Sequence, residues 1–328
     1  MKALVCHSFG PIENLRVEEI SAPVAGPGQL LVEVRSASIN YLDALMVQGQ
    51  YQTKPALPFT PGVELAGVVC DAGAGVDAFH VGDRVMATCT TGAFAEQCLV
   101  DVAQAVPLPR GMDYSLGASF LLTYGTSLHA LGTIARLQPG ESVLVLGASG
   151  GVGIAGIEIA KTMGARVIAA ASSAQKLELA QRAGADEIVD YTQPEWRRQI
   201  DTLTSGHGVD VVYDPVGGPY AESALRTCAW RGRYLVVGFA AGEIPKVALN
   251  LVLLKERALL GVYWGEAMRR DGAQRQADMR QLEHWFLAGK LRPVVTERVP
   301  LSGAAAAMGR LAARRAMGKI VVLPRGQA

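Results

Sequence analysis

The chain of 328 residues has only five cysteines, Cys6, Cys70, Cys89, Cys98 and Cys228, and none of them forms a Cys-x-x-Cys pair. Its five histidines fall outside the His-Glu-x-x-His and His-x-x-x-His spacings that aim imidazoles at one metal. These absences remove the usual sequence signs of a zinc ligand set, and scattered cysteines read as free thiols of a reducing compartment. An excess of charge is also missing. With 31 basic against 30 acidic residues, the chain lacks the electrostatic footprint of a protein that grips nucleic acid or an anionic membrane. Small-molecule partners are expected instead. Apolar runs such as residues 249–254 fall far short of the roughly 20 residues that span a bilayer. The N-terminus, Met1-Lys2-Ala3-Leu4-Val5, reads as a strand and lacks a secretory signal pattern, so a cytoplasmic location is expected. No internal repeat or low-complexity linker interrupts the chain.

What is present is enough apolar material for a sizeable interior, since 50% of the residues are hydrophobic. A length of 328 residues exceeds the size at which one core usually stops growing, which predicts two domains. Residues 1 to about 120 are dense in Gly, Pro and β-branched residues, with short alternating runs such as Leu30-Leu31-Val32-Glu33-Val34, and predict an irregular, mostly β domain. From about residue 140 the pattern becomes strand, turn and helix in regular succession. Predicted strands at 142–146, 166–171, 187–190, 209–213, 234–237 and 258–263 with intervening helices form one doubly wound, six-stranded parallel sheet. Beyond Glu266 the chain turns polar and helical, then gives a strand near Val294, an Ala-rich helix and a last strand at 320–323. The predicted division is therefore 1–121 with 266–328 for the first domain and 122–265 for the insert.

The segment Gly147-Ala148-Ser149-Gly150-Gly151-Val152-Gly153 lies between a predicted strand and a predicted helix. There, glycines permit a tight turn and let backbone N–H groups reach a pyrophosphate. The same residues also read as Gly-x-Ser-x-Gly, the nucleophile elbow of a serine hydrolase, with Ser149 as nucleophile. That reading needs a later carboxylate and histidine at strand ends, and His207 in a Gly-flanked loop and His284 inside a helical pattern are poorly placed for it. An NAD-binding domain commonly ends its second strand in Asp or Glu, which holds the ribose hydroxyls and would repel a 2′-phosphate. Here that strand ends Ala170-Ala171-Ser172-Ser173, and Lys176 follows. Hydroxyls and an ammonium suit a phosphate, so NADPH is the expected cofactor.

Several segments spread over nearly the whole chain resemble the zinc-independent quinone oxidoreductase branch of the medium-chain dehydrogenase/reductase superfamily. They are Asn40-Tyr41-Leu42-Asp43, Gln48-Gly49-Gln50-Tyr51, Pro61-Gly62-Val63-Glu64-Leu65-Ala66-Gly67, Val81-Gly82-Asp83-Arg84-Val85, the Gly147 to Gly153 loop, Val211-Val212-Tyr213-Asp214-Pro215-Val216-Gly217-Gly218 and Gly318-Lys319-Ile320-Val321. Glu158 departs from the family's glycine-loop signature, which has Gln there. The resemblance implies that the first domain is a GroES-like catalytic domain. It also implies that Ser149, Gly150, Gly151 and Val152 hold the pyrophosphate and that Ser172, Ser173, Lys176 and Tyr191 surround the 2′-phosphate. Asn40 and Thr126 would lie near the nicotinamide half, with Gly238, Phe239 and Ala240 lining the cofactor groove. Where zinc-dependent relatives place Cys, His and Cys, this chain has Asn40, Val63 and Ala118, which implies chemistry without a catalytic metal.

Without a metal to polarise a carbonyl, the expected reaction is hydride delivery to an acceptor already activated by conjugation, either a quinone or an enone or enoyl thioester. The second class requires protonation of an enolate carbon, for which a phenol is a reasonable donor. Tyr51 matches the position where related enoyl-thioester reductases carry a catalytic tyrosine; packing in a Pro-rich loop is the alternative. Asn40 is either a hydrogen-bond donor to substrate or ribose, or an ordinary turn residue, and Asp43 reads as a helix N-terminal residue. An apolar sheet edge at 258–263 and the family resemblance together imply a homodimer. A binding protein that keeps NADPH without turnover is the remaining class.

Overall fold

The computed structural model describes residues 1–326, which form two compact units: Met1–Leu122 together with the chain from Val294 onward, and Thr123–Pro293.

The first unit is built on a seven-stranded sheet. Gln29–Ser38 lies at its centre and pairs antiparallel with Glu64–Ala72, Gln97–Asp101 and Lys319–Leu323. Glu64–Ala72 continues to Arg84–Thr88 and then Ala105–Pro107, while Val295–Pro300 lies parallel to Lys319–Leu323 on the other side. Along Gln29–Ser38 the buried residues Leu30, Leu31, Val32 and Val34 are interrupted by the partly exposed Glu33 and the exposed Arg35. Leu30, Val32, Val34, Leu65, Val85 and Val322 share one core with Ala304, Ala307 and Met308 of the Ala304–Ala312 helix. A short helix, Tyr41–Val47, leaves the end of the central strand and buries Ala44, Met46 and Val47.

In the second unit all six strands are parallel, in the spatial order Glu187–Asp190, Arg166–Ala171, Ser142–Leu146, Val209–Asp214, Cys228–Val236, Ala258–Gly261. Numbered within the unit this is the 3-2-1-4-5-6 order of a dinucleotide-binding sheet, which agrees with the predicted fold class. Val143, Leu144, Val145 and Leu146 are fully buried, as are Val167, Ile168, Ala169 and Ala170. Gly164 (φ +86°) and Gly184 (φ +105°) stand just past the helices Gly151–Thr162 and Ala174–Arg182, where a left-handed residue ends a helix.

Two expectations need correction. The fifth strand starts at Cys228, well before the predicted 234, because Gly232 and the left-handed Arg231 (φ +58°) occur inside a strand and imitate a turn. The return to the first unit comes at Val294, later than the expected residue 266. Helices Trp264–Arg270 and Gly272–Leu287 bury Trp264, Met268 and Leu282, and the Trp264 indole packs on Gly125 of the same unit. Their apolar faces thus belong to the core of the insert.

Candidate functional site

In the second unit the Ser142–Leu146 strand ends in Gly147, whose left-handed φ of +56° turns the chain sharply toward the Gly151–Thr162 helix. Gly153 lies so close to this turn that a Cβ there would sit 2.3 Å from the Gly147 carbonyl oxygen. Only glycine lets helix and strand meet at this distance. Gly150 is the N-cap, Ile154 N–H donates to its carbonyl at 2.9 Å, and the first-turn amides that precede Ile154 have no intrahelical acceptor. That is a cradle of N–H groups with the positive end of the helix dipole behind it, suited to a pyrophosphate. Ser149 is buried, while His207 and His284 are both exposed, so among the described residues these two histidines complete no triad with it. The hydrolase alternative finds no support in this geometry.

Beyond the neighbouring strand, Arg166–Ala171, the groups expected around a 2′-phosphate do converge. Ser173 caps the Ala174–Arg182 helix, its hydroxyl accepting from Lys176 N–H at 3.4 Å, and Lys176 Nζ donates to Ser172 Oγ at 3.2 Å. Tyr191 N–H donates to Ala171 O at 3.2 Å, which brings that residue beside Ser172, and its ring packs against Tyr220 with centroids 4.3 Å apart. The nearby carboxylate of Asp190 accepts from Thr192 N–H at 2.9 Å and Thr192 Oγ1 at 2.7 Å. Gly238 N–H donates to Asp214 O and Ala240 N–H to Pro215 O, so 238–240 follow the end of the Val209–Asp214 strand with Phe239 half-buried between them. Thr126 is half-buried on the Leu121–Leu128 helix, anchored through its neighbour Ser127, whose hydroxyl meets Tyr213 Oη at 2.9 Å. Glu158, the departure noted above, accepts from Tyr124 Oη at 2.7 Å and Arg292 N–H at 2.9 Å. Burial raises its carboxyl above the ordinary range, against the pull of those donors.

In the first unit Asn40 is the N-cap of Tyr41–Val47, and its N–H donates to Asp43 Oδ2 at 2.7 Å. Its side chain sits in a buried polar cluster. Asn40 Nδ2 donates to Ser38 O at 3.3 Å, Ser38 Oγ at 3.1 Å and Glu64 Oε2 at 3.3 Å, while Lys319 Nζ donates to Asn40 Oδ1 at 2.6 Å. Glu64 further accepts from Ser38 Oγ at 2.6 Å and Leu122 N–H at 2.9 Å, and Lys319 Nζ lies 3.6 Å from its Oε2. Lys319 thus pairs with Glu64, and Asp43 lies within the electrostatic reach of both. Burial lowers the Lys319 pKa against the attraction of Glu64 and Asp43. It raises Asp43 to about 7, opposed by the Asn40 amide and by Lys319. Glu64 and Lys319 were not singled out from sequence as site residues; their signal is a charge standing in an apolar strand. Tyr51 lies beyond the other end of the same helix, half-buried. Asn40 and Tyr51 therefore flank a helix about 10 Å long. Val63 and Ala118 are buried and offer no metal-binding atom in their side chains.

Comparisons agree with this picture. Residues 26–110 match the family described as alcohol dehydrogenase GroES-like domain, and residues 151–286 the one described as zinc-binding dehydrogenase. Rat quinone oxidoreductase-like protein 2 is 37% identical over 322 residues, covering 98% of this chain and 91% of its own length. Rat quinone oxidoreductase is 32% identical and covers 98% of both. Among solved structures, a mycobacterial protein complexed with NADPH superposes with a TM-score of 0.93 at 31% identity, covering 99% of this chain and all of its own. The CurK enoyl reductase superposes with a TM-score of 0.89 at 26% identity, covering 98% of each.

Proposed function

Because the chain belongs to the zinc-independent quinone oxidoreductase branch of the medium-chain dehydrogenase/reductase superfamily, we propose that it is an NADPH-dependent reductase of quinones. The observation that carries the NADPH dependence of this reading is the Ser172, Ser173 and Lys176 cluster at the end of the second insert strand, where a dehydrogenase for NAD would place a carboxylate.

The residues present fit the cofactor. Ser149, Gly150, Gly151 and Val152 would hold its pyrophosphate, Ser172, Ser173, Lys176 and Tyr191 its 2′-phosphate, and Gly238, Phe239 and Ala240 the groove wall. Thr126 and Asn40 are assigned to the nicotinamide half. NADPH, when bound, supplies the hydride. Asn40 contributes as an anchored donor. Its Nδ2 hydrogens are shared among three acceptors at 3.1–3.3 Å, contacts long enough to be exchanged for a ligand oxygen. Since Asn40, Val63 and Ala118 provide no thiolate or imidazole, the acceptor must already be electrophilic. A quinone meets that requirement, and its reduced oxygens can take protons from solvent.

The runner-up is reduction of an enone or enoyl thioester, favoured by the half-buried Tyr51 beyond the helix that Asn40 caps and by the likeness to an enoyl reductase. In that case Tyr51 Oη gives its proton to the substrate carbon. We also infer a homodimer in the cytosol. Ala258–Gly261 is the last strand of its sheet, and Leu249, Leu253, Leu254 and Tyr263 around it are 75%, 76%, 68% and 54% exposed. An apolar sheet edge of this kind suits pairing with a second copy.

The deciding experiment follows nicotinamide absorbance with NADPH or NADH, a quinone or an enoyl thioester, and wild type or Tyr51→Phe. The quinone reading expects NADPH oxidation by the quinone at similar rates in both proteins. Turnover confined to the enoyl substrate and lost in Tyr51→Phe would replace it with the ene-reductase. Tight NADPH binding with neither acceptor reduced would make the chain a binding protein.

A further inference from the structure

Two of the five cysteines stand against each other. Cys89 follows the Arg84–Thr88 strand and Cys98 lies in Gln97–Asp101, and their sulfurs are 3.8 Å apart, with the Cys98 thiol donating to Cys89 Sγ. Among the described residues the other three thiols point elsewhere. Cys6 donates to Ser8 O and Cys70 to Leu31 O, and Cys228, the first residue of the fifth insert strand, is buried in the core of the insert. The two members of the pair differ in access: Cys98 is 2% exposed, whereas Cys89 is only half-buried. From this geometry we propose that Cys89 and Cys98 are an oxidisable dithiol, with Cys89 the thiol that meets a hydroperoxide and Cys98 the thiol that resolves it.

The chemistry balances without any other reactant. The Cys89 sulfur attacks the distal oxygen of the hydroperoxide, becoming a sulfenic acid while the O–O bond breaks and the alcohol leaves. The Cys98 sulfur then attacks the sulfenic sulfur; the S–S bond forms, the S–O bond breaks, and the Cys98 proton departs with the hydroxyl as water. The two thiols lose two electrons and two protons, and the peroxide becomes one alcohol and one water. Closing the gap from 3.8 Å to a disulfide of about 2.05 Å needs each sulfur to move by roughly 0.9 Å. The frame that holds them is fixed by Ala93 N–H on Gly62 O at 3.1 Å and Cys89 N–H on Val63 O at 2.8 Å. The adjoining Cys98 thiol, burial and nearby Asp43 all raise the Cys89 thiol well above its ordinary range, so little thiolate is present at neutral pH and the reaction is slow. Cys89 Sγ also donates to Gly62 O at 3.5 Å.

No Lys or Arg stands between Val85 and Arg110, so trypsin leaves both cysteines in one peptide, residues 85–110. The native protein is treated with excess hydrogen peroxide, alkylated and digested without reductant. The expected product is this peptide lighter by two hydrogens and carrying no alkyl group, restored to two alkyl groups by dithiothreitol, with the Cys6 and Cys228 peptides still alkylated. In Cys98→Ser the disulfide cannot form, and a 1,3-dione is expected to capture the sulfenic acid at Cys89. A peptide that keeps two alkylatable thiols, or one oxidised at Cys89 to the sulfinic acid in the wild type with no disulfide, overturns the proposal.

Discussion

Replacing Asp43 by Asn tests whether the buried cluster holds one carboxyl in its protonated form. Asp43 is fully buried, and burial raises its pKa from 3.8 to about 7 against the pull of the Asn40 amide and Lys319, with Glu64 adding to the rise. This difference corresponds to about 4 kcal/mol in favour of the protonated carboxyl in the folded state. Because the folded protein holds this proton more tightly than the unfolded chain, folding takes up protons between about pH 4 and pH 7. The contribution of Asp43 to stability is therefore greatest below that window, falls as pH rises through it, and is level above. Asparagine keeps an oxygen to accept from Asn40 N–H and has nothing to titrate. Its Nδ2 would face the position of Asp43 Oδ1, which has no hydrogen-bond partner, and the resulting penalty is the same at every pH. The wild type is thus expected to lose stability relative to Asp43→Asn by up to about 4 kcal/mol between pH 4 and pH 8. In a unit of this size that is about 10 °C in melting midpoint. Thermal unfolding of both proteins across this range, in buffers of equal ionic strength, reads the difference directly. Midpoints that run parallel across the range would refute the account of the cluster.

Two further outcomes follow from the insert. Lys176→Ala removes the ammonium beside Ser172 and should weaken NADPH binding by about 10- to 100-fold, the usual effect of one charge-assisted hydrogen bond. NADH binding should stay unchanged; fluorescence titration with each nucleotide checks both halves, and equal losses would argue against a 2′-phosphate site. Leu253, 76% exposed beside the last strand of the sheet, should tolerate Glu in a monomer but not in a dimer. Light scattering should show the mass of Leu253→Glu halved relative to wild type, and a wild type already at monomer mass would remove the dimer.

The fold was legible where function and structure are written in contiguous residues. Val143 to Leu146 and Val167 to Ala171 are buried on both faces, and burial on both faces writes an unbroken apolar run that needs no partner to be read. The glycine loop and the Ser172 to Lys176 turn are equally local, since each is one strand end meeting one helix start. What could not be read is which core an amphipathic element joins. The helices at 264–287 carry ordinary apolar positions, and their unit is revealed by packing: Trp264 on Gly125 and Asp278 beside His129. Hydropathy periodicity gives a face but not its destination.

The buried cluster shows the same limit and the reason it matters. Lys319 meets Asn40 across 279 positions of sequence, so neither residue alone announces the pair. The family resemblance had identified Asn40 as a position where zinc-dependent relatives place a cysteine. The structure adds that a lysine ammonium reaches its amide oxygen and stands beside Glu64. A buried carboxylate must be paired, hydrogen-bonded or neutral. Glu64 has Lys319, Ser38 and the Leu122 amide, and one ammonium cannot neutralise a second carboxylate as well. Asp43 has the Asn40 amide, and burial raises its pKa to about 7 against the pull of that amide and of Lys319. The charge balance of the cluster thus rests on one lysine and on the proton of Asp43. On that balance, Lys319→Met should push Asp43 still higher and leave Glu64 as a buried carboxylate without its cation, whereas Asp43→Asn should leave the Lys319 contacts with Asn40 and Glu64 intact.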